Sequence, residues 1–510
     1  MSYFVTTAIN YPNGRPHIGH AYEAVATDWL ARFARLDGRT TFFLTGTDEH
    51  GLKIAQAARA AGVSPQAFVD EMVCHFQKMG EDLHISPDRF IRTTDADHKA
   101  TAQALWQRMA DAGDLYLGRY AGWYSVRDEA FWDEEDTILA DDGTRLAPTG
   151  TQVEWTVEES WFFRLSRFQE PLLALYARQP DFVQPANRMN EMRAFVERGL
   201  KDLSVSRTSF DWGVPVPGSP GHVMYVWVDA LANYLTPTGF PDREGAASWP
   251  ADLHVIGKDV VRFHAVYWPA FLMSAGLALP RRVFGHGFIL NRGEKMSKSA
   301  GNIVEPGALA AHYGVDTFRY FLLRAIAFGQ DGEWSHEAIA RRANAELAND
   351  LGNLAQRTLS MIARNCGGAV PDPAAGDAAD RALLAGTDGL LDRCREAHAA
   401  VRPDLALDAI FEAVAAANLH LTRAAPWALR KTEPARADAV LWHAAEVIRR
   451  VALLLQPAMP ERAGRLLDLL GVGPQARSFA SFGEMLPPGV ALPPPEPLFP
   501  RVEPLAPPSA

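Results

Sequence analysis

The sequence predicts an α/β fold in which a parallel-sheet domain is split by a β-rich insertion and followed by an all-α helical bundle. Three patterns predict it. Short β-branched runs alternate with longer amphipathic runs over residues 1–115, which is typical of βαβ units. Residues 119–160 are instead aromatic, acidic and rich in turn residues, which favours small antiparallel strands. From about residue 341 the chain is Ala-rich, with apolar residues at helical spacing.

The first strand and helix of the sheet domain are expected at residues 4–7 and 22–36. Between them lies Pro12-Asn13-Gly14-Arg15-Pro16-His17-Ile18-Gly19-His20, which we interpret as a strand-to-helix turn with Pro16 in the first helical turn. His17 and His20 share one face of the helix N-terminus, where orphan N–H groups and the helix dipole favour anions. Gly19 leaves room for a flat ring. The turn therefore predicts a nucleotide phosphate site, although a histidine pair that opens a helix can also be purely structural.

Two further segments carry candidate binding groups. Gly46-Thr47-Asp48-Glu49-His50-Gly51 follows the second predicted strand, 41–45, at the sheet edge where ligands bind in parallel sheets. Asp48 is placed there to hold a cationic group, or alternatively it caps the next helix, 52–60. Far downstream, residues 291–302 form a basic loop that carries Lys295 and Lys298 between two glycines. We expect a movable cationic flap, with an ordinary solvated loop as the alternative.

The sheet pattern returns after the insertion, with strands expected at 254–256 and 283–284 and a helix at 260–275. Two apolar segments in this half present aromatic residues at helical spacing. An aromatic-walled pocket with one histidine is what a small thioether side chain needs, whereas core packing is the alternative. The residues on the two helical faces are Trp227, Ala230 and Tyr234, and Val260, His264 and Trp268.

Helices of the terminal bundle are expected at 341–364, 378–401, 404–423, 435–456 and 461–470. Asn353 and Arg357, four residues apart on the first of them, could form a polar pair that reads bases. Trp427, among several basic residues at a helix end, could stack an unpaired RNA base, or alternatively plug the end of the bundle. The tail from Pro487 holds ten prolines and is either an extended strap or disordered.

Composition limits the class of protein. The net charge of −11 argues against indiscriminate nucleic-acid binding, but it leaves room for a local basic face. The three scattered cysteines form no C-x-x-C motif, which fits a reduced cytoplasm and gives no metal cluster. No secretion signal is visible, and no apolar run approaches the roughly 20 residues needed to span a bilayer, so we expect a cytoplasmic protein without a membrane anchor.

Together, the turn at 12–20 and the segment Lys295-Met296-Ser297-Lys298-Ser299 resemble the HIGH and KMSKS signatures of class I aminoacyl-tRNA synthetases. The other segments narrow the resemblance to the methionyl-tRNA synthetases, along nearly the whole chain. It implies six parts: the first half of a Rossmann-type catalytic domain (1–115), a connective insertion with a zinc-less knuckle (116–225), the second half of the catalytic domain (226–295), the lysine loop and stem-contact region (296–340), a helical anticodon-binding domain (341–472) and a proline-rich C-terminal strap (473–510).

The resemblance also implies a two-step ligase that forms methionyl-adenylate from L-methionine and ATP and then charges tRNA(Met), including initiator tRNA. It assigns catalysis to His17, His20, Lys295 and Lys298, with Asn13, Gly14, Gly19 and Ser297 joining them in ATP binding, and Mg²⁺ arriving with ATP. It assigns the methionine pocket to Ile9, Tyr11, Asp48, Trp227, Ala230, Tyr234, Val260, His264 and Trp268, with Asp48 on the ammonium and Arg207 near the substrate. It assigns the CAU anticodon to Asn353, Arg357 and Trp427.

The chain departs from many relatives at two places. Where they begin a zinc knuckle with Tyr-Cys-x-x-Cys, this chain reads Tyr124-Ser125-Val126-Arg127-Asp128, and the insertion holds no cysteine. We therefore expect no structural zinc. Leu231 and Val260 stand where some relatives have Pro and Ile. Since no dimerisation module follows residue 510, we expect a monomer.

Several alternatives share part of this pattern. A leucine-, isoleucine- or valine-specific synthetase would carry both signatures, but its editing insertion would exceed the roughly 110 residues available here. A cysteine-specific synthetase would need zinc-binding cysteines. A non-catalytic tRNA-binding paralogue would have no need of His17, His20, Lys295 and Lys298, and a small-molecule adenylyltransferase would have no need of the helical bundle.

Overall fold

A six-stranded parallel sheet forms the centre of the protein, as the computed structural model shows. The structure describes residues 2–125, 130–132, 134–140, 142–242, 244–291, 294–295 and 304–505. The two central strands, Ser2–Thr7 and Leu253–Gly257, pair with each other although the insertion separates them in sequence. The predicted split α/β sheet is therefore confirmed. Across the sheet the strands are Arg89–Arg92, Thr40–Thr47, Ser2–Thr7, Leu253–Gly257, Val283–His286 and Val183–Gln184.

Helices cover both faces of this sheet because each buries an apolar stripe. In the helix Ile18–Leu36, fourteen of the nineteen residues are buried. It follows the strand Ser2–Thr7 directly, so its N-terminus lies at the carboxyl edge of the sheet. The helices before the insertion are Ile18–Leu36, Leu52–Ala61, Pro65–Asp82 and Ala96–Asp111. Those after it are Val226–Ala232 and Trp268–Ser274, followed by Pro306–Tyr313 and Val315–Arg324.

The insertion folds around a four-stranded antiparallel sheet, as the aromatic and turn-rich sequence predicted. In spatial order its strands are Leu203–Ser204, Glu154–Phe163, Leu115–Ser125 and Ala130–Trp132. Two helices, Gln169–Arg178 and Ala186–Glu197, follow within the same stretch of chain. Between these two helices the chain also supplies the edge strand Val183–Gln184 of the central sheet. Two-stranded pairs complete it: Ile138–Leu139 with Arg145–Leu146, and Ser206–Arg207 with Val223–Met224.

The C-terminal region is all helical, with two differences from the predicted elements. The predicted helix 378–401 is two helices, because Gly386 and Gly389 interrupt it. The predicted helix 341–364 begins earlier and includes a π-helical stretch before Asn353. The helices are His336–Arg342, Ala343–Gly352 (π), Asn353–Asn365, Ala378–Ala385, Leu390–Ala399, Pro403–Ala424, Pro426–Leu429, Pro434–Leu455 and Pro460–Leu469.

The proline-rich tail is an extended strap up to residue 505. Val502 donates its backbone N–H to Asn344 Oδ1 at 2.9 Å, and Asn344 Nδ2 donates to the Val502 carbonyl at 2.8 Å. Further along, Leu505 donates its N–H to the Tyr313 hydroxyl at 3.1 Å. These bonds tie the strap to the helices that flank the lysine loop and the bundle.

One described segment, Pro403–Leu429, is long and apolar enough to cross a membrane by length and composition alone. Its leucine, isoleucine and valine residues, together with many alanines, make it apolar, but Asp404, Asp408 and Glu412 interrupt the apolar sequence. Leu407, Ile410 and Val414 pack into the hydrophobic core. A core helix of a soluble protein passes the same test, so this segment is weak evidence for a membrane protein.

Candidate functional site

His17 and His20 together cap the helix Ile18–Leu36. His17 is the N-cap and accepts the Gly19 N–H on Nδ1 at 3.1 Å. His20 Nδ1 accepts the His17 N–H at 3.0 Å, which completes a reciprocal capping box. Pro16 therefore precedes the helix, contrary to prediction, because His17 adopts the extended backbone of a cap (φ −128°, ψ 174°). The two rings lie side by side, with their centroids 3.9 Å apart.

This capping determines which tautomer each neutral ring adopts. Because each Nδ1 accepts a backbone N–H, each neutral ring must carry its proton on Nε2. Burial, followed by the charge of His17, lowers the pKa of His20 well below its usual range, so His20 is neutral at physiological pH. Two Nε2–H donors at one helix N-terminus are suited to phosphate oxygens.

Gly19 is needed for this geometry itself. A Cβ at Gly19 would lie 2.8 Å from His17 Cε1 and 3.0 Å from His17 Nδ1. A side chain here would push the His17 ring away from the backbone N–H that it caps. The predicted room for a flat ligand ring is therefore also the room that the His17 imidazole requires. Of the other predicted ATP-binding positions in this turn, Asn13 is exposed and Gly14 half-buried.

The lysine loop begins and ends close to this helix. Lys295 lies in a short strand whose backbone pairs with Leu290, while its side chain, Ser297 and Lys298 lie outside the described residues. Just after the loop, the Val304 carbonyl accepts the N–H of Ile18, the first residue of the helix, at 3.1 Å. The loop is thus anchored beside His17 at its C-terminal side.

Asp48 lies in a loop that is fixed on both sides. Its backbone N–H donates to the Asn10 carbonyl at 2.8 Å. Its neighbour Glu49 accepts from Arg92 Nε at 2.7 Å and from Arg92 Nη2 at 2.9 Å. The next helix begins after Gly51 without a side-chain cap, so the alternative that Asp48 caps it is wrong. Asp48 is 6% exposed, a buried carboxylate at the carboxyl edge of the sheet.

A polar pair lies among the aromatic residues predicted for the methionine pocket. His264 donates Nδ1–H to the Val260 carbonyl at 2.9 Å, so its Nε2 accepts from the Tyr234 hydroxyl at 2.7 Å. Burial lowers the pKa of His264 to about 4, which keeps the ring neutral. Trp227 stacks on Phe263 with ring centroids 3.7 Å apart and meets His264 edge-on at 6.0 Å. The structure therefore brings Trp227, Tyr234, Val260 and His264 together.

The remaining residues predicted for the methionine pocket differ in how deeply they are buried. Trp268 is fully buried and its indole N–H donates to His254 Nε2 at 3.3 Å, behind Tyr234. Ala230 is also buried, at 2% exposure. Ile9 and Tyr11 are half-buried near the end of the first strand, and Lys53 lies over the Tyr11 ring at 5.4 Å.

Arg207 is buried in the insertion next to this half of the chain. Its guanidinium lies 4.7 Å from the Tyr225 ring centre, and Tyr225 is the residue that caps the helix carrying Trp227. It also donates to Ser204 Oγ at 2.9 Å and to the Ser206 carbonyl at 2.7 Å. These contacts hold Arg207 at the start of the Trp227 segment.

Of the predicted anticodon residues, Arg357 and Trp427 contact each other, and Asn353 lies about one helical turn before Arg357. Asn353 is exposed at the end of the π-helical stretch, and the Arg357 guanidinium lies 5.3 Å from the Trp427 ring centre. Trp427 is 46% exposed, so the alternative that it plugs the bundle end is wrong. A half-exposed indole beside an arginine is a surface on which a base can stack.

Two buried acid–histidine clusters in the catalytic half of the chain were not predicted from the sequence. Glu23 Oε2 lies 2.8 Å from His286 Nε2, which ties the helix of His20 to the end of the strand Val283–His286. Asp229 lies between His50 and His98 at 2.6 Å from each. The signal was present, because a charged residue inside an apolar helical run needs a partner, but the partners are distant in sequence.

The knuckle position holds hydrogen bonds between side chains. Ser125, at the place of the first knuckle cysteine of relatives, lies 2.9 Å from Thr151 Oγ1. Arg145 packs over the Trp123 ring at 4.6 Å and bonds Glu134 at 3.0 Å. Val126, Arg127 and Asp128 lie outside the described residues. Among the residues that the structure describes, no group of three or more His, Cys, Asp or Glu side chains could hold a metal ion.

Two protein families match the chain. Residues 3–141 and 142–359 match the family described as tRNA synthetases class I (M). Residues 370–505 match the family described as the anticodon binding domain of methionyl tRNA ligase. The two matches meet near the beginning of the helical bundle.

Individual relatives match over nearly the full length. A methionine–tRNA ligase of Mesorhizobium japonicum is 58% identical over 503 residues, covering 98% of this chain and 97% of the relative. A solved structure titled Mycobacterium tuberculosis methionyl-tRNA synthetase in complex with methionyl-adenylate has a TM-score of 0.96 and 60% identity, covering 98% of this chain and all of that one. The free-state structure from the same organism has a TM-score of 0.90, with 55% identity and 99% of both chains covered.

Proposed function

The chain belongs to the methionyl-tRNA synthetases, within the class I tRNA synthetases, and from this membership we propose how its residues divide the work of methionine–tRNA ligation. The reaction has two steps. A carboxylate oxygen of methionine attacks the α-phosphorus of ATP, the bond from that phosphorus to the bridging oxygen breaks, and pyrophosphate leaves with the electron pair. The 3′-terminal ribose hydroxyl of tRNA then attacks the acyl carbon, and AMP leaves.

In the first step, His17 and His20 stabilise charge on the phosphate chain. Their Nε2–H donors are oriented before ATP binds, because each Nδ1 is already engaged by the backbone. Preoriented donors cost no reorganisation as negative charge develops between the α- and β-phosphates. Lys298, assisted by Lys295, neutralises the leaving pyrophosphate from the lysine loop. Asn13, Gly14, Gly19 and Ser297 complete the ATP site.

Methionine lies with its ammonium on Asp48 and its side chain in the aromatic pocket. The neutral His264 and the Tyr234 hydroxyl present a polar but uncharged surface, which suits a thioether and disfavours a charged side chain. Trp227, Ala230, Val260, Ile9 and Tyr11 supply apolar contact, Trp268 supports Tyr234 from behind, and Arg207 holds the beginning of the Trp227 segment near the substrate.

We further propose that ATP is used together with Mg²⁺ and that the knuckle holds no structural zinc. Mg²⁺ arriving with ATP would shield the phosphate charge. Ser125 and Thr151 form a hydroxyl hydrogen bond where a zinc knuckle would place a thiolate. Elemental analysis of the purified protein should find zinc well below one equivalent, and a stoichiometric amount would contradict this proposal.

The remaining assignments are proposals of the same kind. We propose the division into parts 1–115, 116–225, 226–295, 296–340, 341–472 and 473–510. We propose that Asn353, Arg357 and Trp427 read the CAU anticodon of tRNA(Met), including initiator tRNA. We also propose a cytoplasmic monomer. The alternative of a non-catalytic tRNA-binding paralogue predicts no adenylate formation.

The observation that carries the catalytic proposal is the pair of Nε2–H donors at one helix N-terminus. The experiment is exchange of labelled pyrophosphate into ATP, measured with each amino acid in turn. Methionine should support exchange, while leucine, isoleucine and valine should support far less. Exchange with none of them would contradict a catalytic role, and equal exchange with an aliphatic amino acid would contradict the pocket assignment.

A further inference from the structure

Asp229 lies on the helix that carries Trp227 and Ala230. Its carboxylate is held between the imidazoles of two histidines from other parts of the chain. Its Oδ2 lies 2.6 Å from His50 Nδ1, and its Oδ1 lies 2.6 Å from His98 Nε2. Asp229 is 1% exposed, His50 3% and His98 0%. Each imidazole donates an N–H to one carboxylate oxygen, so the three side chains form one buried cluster, and His98 Nδ1 also lies 3.4 Å from the Thr236 hydroxyl.

Burying charged and polar side chains costs desolvation free energy, so this cluster is an inefficient way to stabilise a short helix. Val226–Ala232 has only seven residues, and the others on its buried side are apolar. Burial acts to raise the pKa of Asp229, but the charges and hydrogen bonds of His50 and His98 outweigh it and hold the pKa well below its usual range. Apolar residues at such a place often serve stability equally well, whereas a buried ionic cluster can fix one arrangement of the elements it joins.

The cluster joins the two groups that would hold methionine. His50 is two residues from Asp48, and the intervening Glu49 is bound by Arg92. On the other side, Asp229 follows Trp227 by two residues and precedes Ala230. The contact between Asp229 and His50 is therefore a direct link from the Asp48 loop to the wall of the side-chain pocket.

We propose that Asp229 is a positioning residue for methionine binding. By holding His50, it sets the distance between Asp48 and the segment of Trp227 and Ala230, so that the ammonium and the thioether are bound at one fixed spacing. His98 anchors Asp229 in turn to the helix Ala96–Asp111. This inference depends on the proposed roles of Asp48 and of the Trp227 segment.

The test is Asp229→Asn in the full chain, measured by methionine-dependent pyrophosphate exchange. Asparagine keeps the volume but lacks the charge and the second acceptor. The methionine KM should rise about tenfold, the loss expected for a charge-assisted hydrogen bond, while the ATP KM stays within about twofold. A methionine KM unchanged from wild type, whatever the change in Tm, would overturn the proposal.

A matched control lies in the helical bundle. Asp380 is fully buried and bonds His420 Nε2 at 2.7 Å. Asp380→Asn should lower the Tm through a similar lost interaction and leave the methionine KM at its wild-type value. An equal rise of KM in this control would mean that general loosening causes the effect, which would also overturn the proposal.

A double-mutant cycle distinguishes failure of this inference from failure of its premise. If Asp229 acts through Asp48, the methionine KM of the double variant with Asp48→Asn should be close to that of Asp48→Asn alone. If the effects of the two substitutions on log KM simply added, Asp229 would not act through Asp48. No effect of Asp48→Asn by itself would overturn the proposed ammonium site and this inference with it.

A second pair of variants applies if Asp229→Asn does not fold. His50→Asn retains an amide N–H close to the position of Nδ1 that can donate a hydrogen bond to Asp229, whereas His50→Ala retains none. The methionine KM should rise in His50→Ala and be largely restored in His50→Asn. The same KM in both variants would contradict a positioning role.

Discussion

His17→Asn should lower kcat for pyrophosphate exchange about 100-fold, the usual cost of one preoriented donor to a developing charge, and leave folding stability nearly unchanged. Asparagine is as good an N-cap as the chain could have, so it can still accept the Gly19 N–H that His17 Nδ1 now accepts. It cannot at the same time place an N–H where the far side of the imidazole places Nε2. Steady-state exchange and thermal unfolding of the same preparation would measure both effects.

A cap elsewhere supplies the control. Ser64 caps the helix Pro65–Asp82 by accepting the Ala67 N–H at 3.2 Å. Ser64→Ala should cost about 1 kcal/mol of stability without changing exchange. If His17→Asn lost stability and kept full exchange, the histidine would be a structural cap only, which is the alternative that the sequence left open.

The protonation of His20 gives this site a pH signature. Because burial and the nearby His17 hold its pKa well below the usual range, exchange should show no loss from protonation of His20 as the pH falls from about 8 to about 6. The same low pKa makes the free energy of unfolding decrease at acidic pH. The unfolded chain takes up this proton near pH 6.5, so the contribution to stability is complete above that pH and falls as the pH drops below it. An exchange rate that titrates away near 6.5 would contradict a neutral His20.

The sequence was informative wherever one short segment carries both pattern and chemistry. The helix after the first strand, the return of the sheet after the insertion and the helical bundle follow from the spacing of apolar residues, whereas the pairing of the two central strands is seen only in the structure. His17, His20, Asp48 and Trp427 were recognisable because their motifs are local. Tyr234 and His264 were found by assuming α-helical spacing, although Tyr234 lies in the turn after the helix Val226–Ala232 and His264 lies in a π-helical stretch, Phe263–Tyr267.

What the sequence did not reveal depends on contacts between distant segments. Asp229 contacts His50 and His98, which lie far from it in the sequence. No local pattern around Asp229 predicts these contacts. The place of Pro16 was misjudged because a histidine cap is not among the common N-caps. The π-helical stretch before Asn353 likewise escaped prediction, since hydrophobic spacing cannot distinguish one inserted residue from a continuous α-helix.

Arg357→Ala should lower kcat/KM for charging of tRNA(Met) about 100-fold, because it removes base-edge donors and the cation beside the stacking indole together. The guanidinium lies 5.3 Å from the Trp427 ring centre, so its loss also frees the indole to turn. Pyrophosphate exchange should be unchanged, since it needs no tRNA. The two assays on one preparation would separate a binding defect in the bundle from damage to the catalytic domain.

Loss of a positive charge alone must be distinguished from loss of base reading. Arg393, on the helix Leu390–Ala399, is exposed and paired with Glu412 at 2.7 Å, and Arg393→Ala should change charging little.

The sharper comparison uses a tRNA(Met) transcript with one altered anticodon base. If Arg357 reads the anticodon, Arg357→Ala should reduce the discrimination between the two transcripts, because the wild-type preference depends on that contact. An equal loss on both transcripts would instead assign Arg357 to the phosphate backbone, and anticodon reading would then lie with other residues of the bundle.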